Sequence, residues 1–214
     1  MSVRAALRTA LSELYQFSWR LLVVNTALSV ILVAGVLALP TLPLGLLVGS
    51  AVAGPVAAGL VHCVVMLVRG DDIRLADAAE GIRLHWRRGL ALGALFGAGL
   101  MFGLVAVSFY ASASHRIWPL AIVALYALGF FCLLVLTAWP LAIADPTRGV
   151  GPALRLAGLE LLRRPGRALG FGAAILVINV LGAVTIVPLL TLTIAYTFLA
   201  AAHVVLPKNP EEAT

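Results

Sequence analysis

Charge is what this sequence has least of. Charged side chains make up 11% of its 214 residues, and only nine are acidic. A water-soluble domain ordinarily carries about 25% charged residues and about 45–50% apolar ones. A single globule in water is therefore excluded, because its surface would lack polar cover. Cysteine is also scarce: Cys63 and Cys132 lie deep in apolar runs. That argues against a disulfide framework, and neither residue has metal-ligand spacing. Phosphate-loop, dinucleotide-binding, zinc-protease, nucleophile-elbow and CxxC patterns are all missing. No catalytic, cofactor or metal residue is expected, nor an enzyme, and an ATP-driven transporter would need its ATPase on another chain.

What is there is apolar. Such residues reach 62% with a mean hydropathy of +1.08, and runs such as Leu90–Phe109 do not alternate as barrel strands do. In lipid every backbone polar group must be paired internally, so these runs must be helices. The expected fold is an all-α, polytopic transmembrane bundle forming one domain over residues 1–206, with a polar tail at 207–214. About 20 residues cross a hydrocarbon core. Six spans follow, at about 21–39, 44–68, 89–109, 117–144, 168–187 and 189–206. The stretch Ala168–Leu206 would measure about 58 Å as one helix, so it must turn near Pro188. The fourth span, being long, should kink or tilt at Pro119 or Pro140. Residues 1–20 read as an amphipathic interfacial helix with a stripe of Val3, Leu7, Leu11, Leu14 and Phe17.

Orientation follows from the basic residues. With both termini inside, fourteen of the fifteen Lys and Arg fall on the cytoplasmic side and only Arg116 falls outside. This explains the net charge of +6 better than nucleic acid would. The two long cytoplasmic loops share a plan. In the first, Leu75, Ala79, Ile82 and Trp86 form an apolar stripe among charges; in the second, Leu154, Ala157 and Leu161 form a weaker one. They end in RRGLALG and RRPGRALG, through a weak internal repeat or through convergence on basic helix ends. Leu75, Ile82, Trp86, Arg87, Arg88, Arg163 and Arg164 are therefore the candidate surface for anionic lipid or a protein partner.

Within the spans, Gly45 and Gly49, with Gly89, Gly93 and Gly97, recur at four-residue steps. Such spacing lets helix backbones approach closely, either inside one chain or across a homodimer. Asn25, His62 and Asn179 are the candidate interhelical polar contacts. No Asp, Glu, Lys or Arg falls mid-span, although ion-coupled carriers use such groups. Gly54-Pro55 and Trp139-Pro140 mark helices that could line a transport site or merely kink.

Several stretches together resemble the YesL-like bacterial membrane proteins: LYQFSWRLLVVN, AGPVAAGLVHCVVMLVRGDD, RLADAAEGIRLHWRRGLALG and WPLAIADPTRGVGPALRLAGLELLRRPGRALG. The stretch Val33–Ala53 departs from that pattern in lacking a short turn and a Thr-Ile-Gly element. The resemblance implies an inner-membrane helical bundle, often encoded beside carbohydrate ABC importers, with no catalytic residues to carry over. The expected function is a non-enzymatic accessory or assembly partner, with an ABC permease as its partner. A small transporter or channel is the alternative.

Overall fold

The computed structural model describes residues 3–39, 41–112, 117–185 and 193–206. It is all-α, with no strand among them. Its helices are α1 (Val3–Gln16), α2 (Ser18–Leu37), α3 (Leu42–Arg69), α4 (Leu75–Ser112), α5 (Pro119–Ala144), α6 (Val150–Arg163), α7 (Pro165–Thr185) and α8 (Ile194–Val205). Four of them, α3, α4, α5 and α7, are long and apolar enough to cross a membrane. The bent pair α1 and α2, meeting at 98°, makes a fifth if taken as one broken span. The expected turn at Pro188, the start of the sixth span, the 113–116 connection and the polar tail lie outside the described residues.

Burial separates two kinds of apolar helix. In α4, α5 and α7 only 17% of the most apolar window is buried. Their exposed side chains include Phe102, Phe109, Tyr126, Leu169 and Leu176, the outward apolar face that lipid requires. In α3 the share is 67%, so neighbouring helices cover most of it.

Small residues decide how α3 meets α4. A methyl group placed on Gly54 or Gly89 would strike the other's backbone, one on Gly93 would overlap the Ser50 carbonyl, and one on Gly97 would lie 2.8 Å from the Leu47 Cα. Nearer the α3–α4 connection, Gly81 of α4 faces His62, its added Cβ falling 2.6 Å from the histidine Cβ. The pair is thus antiparallel with Gly54 level with Gly89, and residues 55–69 of α3 run beside the arginine-bearing start of α4. Gly49 packs instead on Gly35 of α2, and Gly45 is buried. On the other side of α4, Gly99 and Gly103 take Phe131 and Leu128 of α5. These glycine faces are occupied within one chain, so a dimer through Gly89, Gly93 and Gly97 would require dismantling the α3–α4 contact.

The two loops with a common plan fold differently. The first has no separate surface helix: residues 75–88 are the opening turns of α4, whose 38 residues extend about 57 Å. A lone glycine at 89 is tolerated inside a helix. The second loop breaks, because Pro165 pushes Arg164 out of the helical region, to φ −134°, ψ 65°. There α6 packs Ala153, Ala157 and Leu161 inward, so Leu161 is not available to lipid. In α1 the buried line is Ala6, Ala10 and Leu14; of the expected stripe, Val3, Leu7 and Phe17 also pack against the core, partly buried, and Leu11, 59% exposed, turns away. Pro119 sits in the first turn of α5 rather than at a kink, and the helices continue through Pro55 and Pro140.

Candidate functional site

The buried helix α8 shows how the polar groups are organised. Residues 195–203 are all buried, so both helix ends need partners from elsewhere in the chain. At the start, Asn25 on α2 accepts the Ala195 N–H through Oδ1 at 3.0 Å. At the end, Arg167 donates to the Val204 carbonyl at 3.0 Å. Asn179 of α7 donates to the Thr197 hydroxyl at 3.1 Å and to the Ile175 carbonyl at 2.9 Å. Tyr196 donates to the Leu7 carbonyl, and Nε2 of His203 lies 2.7 Å from Oε2 of Glu13, tying α8 to α1. Among the described residues, the buried Nδ1 of His203 has no hydrogen-bond partner.

Arginines close the other helix ends. Arg88 donates to the carbonyls of Ala142 (3.0 Å), Asp145 (3.2 Å) and Pro146, and Arg69 donates to Ala144 at 2.7 Å. Both guanidiniums therefore sit at the carboxyl end of α5, where unpaired carbonyls present about half a negative charge. Arg20 bridges Asp72 at 3.0 Å and the Ile73 carbonyl, fixing α2 to the α3–α4 connection. Beside α5, the Thr147 hydroxyl and backbone N–H donate to Asp145 and hold its carboxyl below the usual range, helped by Arg148.

These contacts frame a cavity of about 380 Å³ between α3, α4 and the end of α5. Its walls carry His62, Met66 and Arg69 from α3, and His85, Trp86, Arg87 and Arg88 from α4. The spacing explains the convergence: positions 62, 65, 66 and 69 share one helix face. The His62 and His85 rings are 5.4 Å apart, centroid to centroid, and His85 is only 6% exposed. Arg87 stacks on Trp86 at 5.2 Å. No group of three or more metal-ligating side chains occurs among the described residues.

No family model, curated protein or solved structure matches this chain.

The sequence-derived surface set divides in space. Trp86, Arg87 and Arg88 line the cavity with His62. Ile82 packs against Gly59, Leu75 is 39% exposed, and Arg163 and Arg164 are exposed at the α6–α7 break. Sequence reasoning passed over Arg69 and His85 as site residues. The signal was weak: His85 aligns with His62 only through the Gly54–Gly89 register, which one sequence does not display.

Proposed function

We propose that the chain is a six-span bacterial inner-membrane protein with both termini cytoplasmic, acting as a non-enzymatic accessory or assembly partner. The observation that carries this reading is the gathering of arginines at helix ends. Arg69, Arg88 and Arg167 close the carboxyl ends of α5 and α8, while Arg87, Arg163 and Arg164 remain exposed. A rigid, small-residue bundle with a basic end suits docking on anionic lipid or on the cytoplasmic face of another membrane protein. The resemblance to YesL-like proteins makes an ABC permease for carbohydrate the proposed partner. Purification in mild detergent tests it. Permease subunits should be retained, and reversing Arg163 and Arg164 to Glu should release them while the bundle still purifies intact.

The second reading, a transporter in its own right, is favoured by the amide and hydroxyl groups of Asn25, Asn179 and Thr197 along α8. Solute flux through the purified chain alone in liposomes would establish it and displace the accessory role.

A further inference from the structure

The cavity at the end of α5 is more cationic than helix capping requires. An α-helix carboxyl end carries about half a negative charge, and one nearby cation satisfies it. Here Arg69 and Arg88 both serve it, and Arg87 joins them in the wall. None of the lining residues is acidic. Three guanidiniums at one concave site would repel one another in the absence of a counter-charge.

Donors are left over as well. A guanidinium carries five N–H groups. Arg69 uses one on Ala144, and the only contact of Arg87 among the described residues is the face of Trp86. His62 lies seven residues from Arg69 on the same helix, about 10 Å along it. On antiparallel α4, Arg87 and Arg88 follow His85 away from the α3–α4 connection. The two imidazoles therefore sit between Arg69 at one end of the wall and Arg87 and Arg88 at the other. That pair is built rather than incidental, since His85 is nine-tenths buried, its ring lies 5.4 Å from that of His62, and Gly81 closes on His62. The volume of about 380 Å³ would hold about a dozen water molecules, enough for a phosphate group together with its first substituent.

We propose that this cavity is a phosphate-binding site, with Arg69 and Arg87 as the charged donors and His62 and His85 between them along the helix pair. Planar guanidiniums suit the phosphate oxygens through paired charge-assisted hydrogen bonds. The phosphate arrives either on an anionic lipid headgroup or as a free phosphorylated solute. The site does not depend on the accessory reading: failure to retain a permease would leave it standing.

The test uses the full chain in a maltoside detergent that contains no phosphate, at constant ionic strength. Two probes are titrated, inorganic phosphate and short-chain phosphatidate, with binding read by ³¹P line broadening. Emission from Trp86 provides a second readout once Trp19, Trp118 and Trp139 are replaced by Phe. Saturable binding of inorganic phosphate identifies a site open to free phosphates. Saturation by phosphatidate alone identifies a headgroup site. In either case Arg87→Gln should weaken binding about tenfold, the loss expected for one charge-assisted contact. Arg83→Gln, on the exposed side of α4 outside the cavity, should leave it unchanged. Among the described residues the Arg87 guanidinium meets the Trp86 ring alone, so its replacement should leave the bundle intact, and His85→Asn supplies a second variant with the same expected direction. Absence of saturation by either probe in the unaltered chain overturns the site, as does equal affinity in Arg87→Gln and the unaltered chain.

Discussion

At the residue scale, one glycine is required by conformation rather than by space. Gly70 follows α3 with φ +88°, and nothing lies within 4 Å of where a Cβ would stand. Its N–H bonds the Leu67 carbonyl at 2.9 Å and the Asp71 N–H bonds Met66 at 3.0 Å, the paired closure of a Schellman motif. Gly70→Ala should cost about 1 kcal/mol in backbone strain alone, and Gly70→Asn less; chemical denaturation in detergent measures both. Asp145 offers a pH test. Its folded pKa is depressed by Thr147 and Arg148, so its contribution to stability is present above the unfolded value and is lost as pH falls through the folded one. Removing the hydroxyl in Thr147→Val should move that titration upward, followed by carboxyl ¹³C shifts of labelled aspartate.

At the element scale, the α3–α4 hairpin depends on absent side chains. Close backbone approach in a membrane substitutes van der Waals packing for a hydrophobic driving force. Gly93→Ala must separate the helices around the Ser50 carbonyl, an overpacking penalty of about 1–3 kcal/mol. Gly170→Ala, where nothing lies within 4 Å, should be neutral. Thermal unfolding of the two variants in the same detergent compares them; equal melting temperatures would count against the register. The glycine spacing at 89, 93 and 97 was readable from sequence, but its partners were not. Gly54, noted only for preceding Pro55, proves to be the centre of the contact, while Gly49 serves α2.

At the scale of the whole molecule, the arginine bias predicts which end faces the cytoplasm, and accessibility selects the probes. Ala78 is 4% exposed and would escape labelling from either side, so Ala76 and Gly151, both exposed, are the suitable positions. With Cys63 and Cys132 replaced by Ala, an impermeant thiol reagent applied to intact cells should label Ser114→Cys. It should label Ala76→Cys and Gly151→Cys only after lysis. Labelling of either without lysis refutes the arrangement with both termini inside.

The sequence by itself determined that the chain is helical and that its apolar runs need an apolar solvent. Composition and run length act through backbone hydrogen bonding, which is local and needs no knowledge of neighbours. The common plan read into RRGLALG and RRPGRALG hid a local difference, since the proline of the second acts on the residue beside it and breaks the helix there. Only the tertiary structure decided that α3 and α8 are covered by protein while α4, α5 and α7 face outward, because Leu and Val read alike against lipid and against another helix. It likewise decided that His85 meets His62 and that Arg69 and Arg88 meet the end of α5. Those encounters depend on helix register, which the packing of glycines from separate segments sets.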